Sequence, residues 1–137
     1  MNKRKVEELL PKAIEALDNG GFGIKKSDNI GDYIEKGFRS QISAFGAAVT
    51  MGSFRAAVAF FGNNGESDVE RSALIRVMYY MTTGEKADSK AIVRKILALS
   101  DEEENQMKED FINASIALKL AMNAFRLKDK SEKGEGA

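Results

Sequence analysis

No carboxylate occurs between Glu35 and Glu66, yet Lys36, Arg39 and Arg55 all fall in that gap. Cations in a stretch free of acids form a surface suited to an anion, so the chemistry on offer is contact with something anionic rather than bond making. Catalytic chemistry has few tools here. The chain has no histidine and no cysteine, which excludes imidazole bases, thiol nucleophiles, Cys/His zinc sites and disulfides. The Glu-x-x-His pairs of a di-iron bundle are excluded as well. The acidic run Glu102-Glu103-Glu104 occupies adjacent positions of an expected helix, so the side chains diverge and do not converge on one ion. Gly20 to Lys26 has glycines and lysines but not the Gly-x-x-x-x-Gly-Lys-Ser/Thr spacing of a phosphate loop, nor a preceding strand. The expectation is a chain that binds, with no catalytic residue, no metal ligand and no cofactor.

Positioning these cations falls to helices. The chain has 137 residues, one proline, 43% hydrophobic and 31% charged residues, which suits a single soluble, mostly helical domain. No run approaches the roughly 18 apolar residues of a membrane span, and the basic amino terminus is followed by no apolar core of a secretory signal. A cytoplasmic protein is expected. Charge balances overall but not locally: residues 1–60 carry nine basic and seven acidic side chains, residues 100–137 six and nine. Such a mildly dipolar chain is not an independent high-affinity nucleic-acid binder.

The apolar spacing predicts six helical segments and no strand. The first covers about Lys3 to Leu17 with Pro11 inside it, ended by Asp18 to Gly21. A second starts near Ser27 or Asp28 as N-cap and carries the stripe Ile30, Ile34, Phe38, Ile42, Phe45 and Val49. Its roughly opposite face then holds Lys36, Arg39, Ser43, Ala47 and Thr50. Gly52-Ser53 separates it from a short helix with Phe54, Val58 and Phe61 inward and Arg55 outward. Ser67 and Glu70 have the spacing of a capping box for the fourth helix, which is apolar almost all round from Leu74 to Met81. Ser89 to Leu99 forms a fifth, and Ser100 with Glu103 caps the last. On that helix Met107, Phe111, Ala114, Leu118 and Phe125 mark the core stripe. Ile112, Ile116, Leu120 and Leu127 form a second one, read as a subunit interface or as the sign of a helix buried mid-fold. The expected architecture is an all-α, compact single-domain bundle of five to six helices over residues 1–127. Lys128 to Ala137 is expected to be a disordered polar tail.

The stretch Arg39-Ser-Gln-Ile-Ser-Ala-Phe-Gly-Ala-Ala-Val-Thr-Met-Gly52, followed by Phe54 to Phe61, resembles the small-subunit family of type III-B CRISPR effector complexes (the Cmr complex). The arginine-bearing fourth helix (Arg71, Leu74, Ile75) and Asn113-Ala-Ser-Ile-Ala-Leu-Lys-Leu-Ala121 fit the same pattern, and the likeness covers about Ile30 to Leu127. It implies a helical brick without its own active site, several copies of which stack head to tail beside the guide-bearing backbone of a ribonucleoprotein used in antiviral defence. The partners implied are guide RNA, target RNA and other Cmr subunits, and base pairing rather than this protein would read sequence. Lys36, Arg39 and Arg55, with Lys25 and Lys26, would then touch the RNA backbone, while Ile112, Ile116 and Leu120 would meet neighbouring subunits. The type III-A small subunit, which plays a similar part, is a close alternative. A helical adaptor that binds only protein is a second. A carboxylate hydrolase built on Glu102 to Glu104 is the third.

Overall fold

A computed structural model describes residues 1–65 and 69–129. Six helices dominate the described residues: α1 (Lys3–Asn19), α2 (Lys36–Met51), α3 (Phe54–Phe61), α4 (Ser72–Thr83), α5 (Ser89–Leu97) and α6 (Asp101–Ala121). The mostly helical bundle expected from composition and spacing is therefore present. Helix α6 is its axis, packing against α1, α4, α2 and α3. Phe111 on α6 is fully buried and meets the rings of Phe54 at 5.2 Å and Phe45 at 6.4 Å; Phe45 in turn meets Phe61 edge-on at 5.6 Å. The small residues Ala114, Ala117 and Ala121 on the same helix are buried too, which lets neighbouring backbones come close.

Local signals in the chain explain the helix ends. Asn2 accepts a bond from the Lys5 N–H at the start of α1, and the Ser53 side chain does the same for Ala56 in α3. At α6 both bonds of the capping box form: Ser100 Oγ accepts from Glu103 N at 3.2 Å, and Glu103 Oε1 accepts from Ser100 N at 3.0 Å. Donation from the Ser100 N–H, with help from the Ser100 hydroxyl, holds the Glu103 carboxyl below its ordinary value. Pro11 stays within α1 on an exposed position, and α1 buries Val6, Ala13, Ala16 and Leu17. Gly20 ends α1 where a side chain has no room, since a Cβ there would lie 2.4 Å from the Ala16 carbonyl oxygen and 2.5 Å from the Phe22 ring.

A small sheet corrects the expectation of no strand. Lys25–Ser27 (β1) and Asp32–Glu35 (β2) pair antiparallel, and Arg126–Lys128 (β3) pairs parallel to β2, with Tyr33, Ile34 and Glu35 opposite Arg126, Leu127 and Lys128. A turn of 3₁₀ helix, Met122–Ala124, leads from α6 into β3. Helix α2 accordingly starts at Lys36, eight residues or more after the expected caps. Ile30 and Ile34 mimicked a helical stripe because their four-residue spacing continues into Phe38. In fact Ile30 sits in the hairpin turn, 80% exposed, while Ile34 is buried in β2. Asp28 does cap, but it caps the hairpin: its Oδ1 accepts from the N–H groups of Ile30 and Gly31. The start of α4 also differs, for the first helical residue is Ser72 with Arg71 at the N-cap, and Ser67 lies outside the described residues. Lys128, expected to begin a tail, is instead a buried strand residue. Residues 130–137 of that tail lie outside the described residues.

Candidate nucleic-acid interface

Lys36, Arg39, Ser40 and Ser43 recur on one face of α2 at helical spacing, beginning at its first residue. Lys119 from α6 and Leu127 from β3 face them, and the six residues line an open depression of about 330 Å³. Lys119 Nζ donates to Ser43 Oγ at 2.6 Å, which fixes a third cation beside the two from α2. The first turn of α2 contains no acid, but the Glu35 carboxyl at its N-cap, paired with Lys26 at 2.8 Å, offsets the positive end of the helix, so the site relies on its side-chain cations. Arg39 is partly buried, and its Nε is buried with no hydrogen-bond partner among the described residues. A buried donor left so is costly. Lys36 is paired, though loosely: its ammonium lies 3.4 Å from Asp129 Oδ2, with both side chains about half exposed. Three cations and two hydroxyls around one depression can hold phosphate oxygens by charge-assisted hydrogen bonds.

Only part of the expected site is gathered there. Arg55 points the other way, into the α5–α6 junction. Its Nη2 donates to the Leu99 carbonyl at 2.6 Å, and Nη1 lies 3.5 Å from Glu104 and 3.6 Å from Asp101. It therefore satisfies a carbonyl beyond α5 and balances the acidic start of α6, away from Lys36 and Arg39. Lys25 and Lys26 on β1 also lie outside the depression and against acids of the same chain. Lys25 lies 3.3 Å from Asp18 and 3.5 Å from Asp32, and Lys26 donates to Glu35 at 2.8 Å. Lys119 was missed by sequence reading, since it falls within an apolar segment of α6 and its approach to α2 is a tertiary contact spanning 76 residues.

The second stripe of α6 is covered in part by the chain's own core. Ile112 and Ile116 are partly buried against the core, and Leu120 alone of the three predicted interface residues is exposed, at 48%. Leu127 belongs to β3 rather than to that helix. Arg71 is also internal, its guanidinium stacked 4.2 Å from the Phe60 ring centre and its Nε donating to the Asn63 carbonyl at 2.7 Å. Of the acidic run, Glu103 is engaged in the capping box and Glu104 with Arg55. No group of three metal-binding side chains occurs among the described residues. Among the described residues no helix is long and apolar enough to cross a membrane. No family model matches the chain, and neither a curated protein nor a solved structure does.

Proposed function

We propose that this protein is a non-catalytic small subunit of a type III-B CRISPR (Cmr) RNA-guided effector ribonucleoprotein, working in the cytoplasm in antiviral defence. Several copies stack along the complex and line the groove of guide and target RNA, touching sugar and phosphate without reading sequence. The observation that carries the reading is the depression where Lys36, Arg39 and Lys119 converge with Ser40 and Ser43. It gathers fewer cations than the set expected from sequence, because Arg55, Lys25 and Lys26 do not line it. One exposed site binds a strand weakly, so affinity in the complex comes from repetition along the RNA.

The test is gel-shift titration of single-stranded and duplex RNA against salt. Replacing Lys36, Arg39 and Lys119 together by alanine is expected to lower affinity at least tenfold at low salt. Loss of these contacts should also flatten the salt dependence by roughly 0.7 in log–log slope per phosphate contact removed. Equal binding by the triple variant would discard the site. A protein-only adaptor is the competing reading, favoured by the exposure of Met51 and Phe60 at 87% and 60%. It requires that the wild-type chain bind no RNA at any salt concentration and purify without a guide RNA.

A further inference from the structure

Strand β3 closes the sheet and also carries a carboxylate to the cation depression. Its position is fixed several times over. Three residue pairs join it to β2, Arg126 donates to the Gly31 carbonyl at 3.2 Å, and Lys128 donates to Asp28 at 2.9 Å. Arg126 donates to Asp28 as well, and both cations lie against the Tyr33 ring, at 5.3 and 4.8 Å from its centre. With Lys128 drawn inward, the next residue, Asp129, emerges beside the first turn of α2, where its Oδ2 reaches Lys36 at 3.4 Å. Leu127, two residues earlier, already forms part of the wall of the same depression. A well-anchored strand thus holds an anion at the rim of a site built for anions.

We propose that Asp129 is an intramolecular stand-in for an RNA phosphate, held against Lys36 by β3 and displaced when a strand enters. The inference rests on the RNA reading given above. The Lys36–Asp129 pair is exposed and therefore weak, which is what a displaceable contact needs. A phosphodiester has two non-bridging oxygens, as many as a carboxylate, but one seated in the depression lies within reach of Arg39 and Lys119 as well as Lys36, and it is supported by contacts further along the strand. A small free anion lacks that support and must compete with a tethered rival. The device favours polymers over stray phosphate.

The experiment compares Asp129→Asn with wild type in the full chain, and uses Glu102→Gln, an exposed acid at the start of α6, as a control for net charge. Binding of a uridine homopolymer is expected to strengthen roughly two- to fivefold in Asp129→Asn, the range of an exposed ion pair. The control should not reproduce the gain, and Lys36→Ala in the Asp129→Asn background should abolish it. A second readout needs no RNA: the acetylation rate of Lys36 at limiting reagent, followed by mass spectrometry, should rise in Asp129→Asn. An affinity gain no larger than that of Glu102→Gln, or unchanged Lys36 labelling, overturns the proposal. If no variant binds RNA, the displacement falls together with the RNA reading. Faster Lys36 labelling in that case places the failure in the RNA reading rather than in the Asp129 contact.

Discussion

Arg39 and Arg55 share a side chain and an acid-free stretch of sequence, and their neighbours give them different work. Arg39 lines the depression; both arginines keep a buried Nε with no hydrogen-bond partner among the described residues, so the difference lies in the rest of the guanidinium. Arg55 places its Nη2 on the Leu99 carbonyl and its Nη1 near Asp101 and Glu104. A guanidinium engaged in this way holds two helices together and has little left for a ligand. Arg55→Ala is therefore expected to destabilise the fold by about 1.5–2 kcal/mol, the worth of a hydrogen bond from a charged group, while leaving RNA affinity within twofold. Urea unfolding and the gel shift measure the two effects separately; a stable variant with lost RNA binding would return Arg55 to the site. Sequence reading could not sort the two arginines, because the partner carbonyl of Arg55 lies 44 residues along the chain.

At the scale of elements, the hairpin and β3 depend on one carboxylate. Asp28 is held well below the usual carboxylate range, chiefly by the Lys128 ammonium, against the opposing pull of partial burial and with help from the Ile30 and Gly31 amides and Arg126. A carboxyl whose pKa is lower in the folded state adds stability above its unfolded value, and that stability drains away as pH falls through the folded value. The β3 attachment should hold at neutral pH and weaken progressively below about pH 5, where an unfolded aspartate begins to protonate. Asp28→Asn should release β3 at every pH. Hydrogen exchange at residues 126–128 is expected to speed up ~10-fold, equivalent to one lost charge-assisted bond, with the centre of α6 unaffected. Unchanged protection of β3 in that variant would show that backbone pairing alone suffices. The helices were legible because caps and apolar spacing repeat over several turns, as at Ser100 and Glu103. The strands were not, since three or four residues show too little alternation to register and Arg-Leu-Lys carries no β signal.

For the molecule as a whole, the second apolar stripe of α6 marks a central helix, surrounded by α1, α2, α3 and α4. Sequence could state that the helix had two greasy sides but not what covers them, because burial by neighbours and burial by partners leave the same pattern. The aromatic cluster around Phe111 ties α2, α3 and α6 into one core. Phe111→Ala is expected to cost about 3–5 kcal/mol, since the ring is fully buried and the rigid surround cannot collapse onto the gap. Thermal unfolding checks this, and a loss under 1 kcal/mol would mean the core repacks. The depression assembles only in the finished fold, for it draws on the start of α2, the last turn of α6 and β3. Its parallel strand has a kinetic corollary. Lys128 must find Asp28 across 100 residues, whereas the β1–β2 hairpin closes locally. Packing of α1 on α6 spans a similar separation, so β3 and the core share the cost of long-range closure, and a chain stalled in synthesis before residue 126 lacks one wall of the cradle and presents no finished berth for a polyanion.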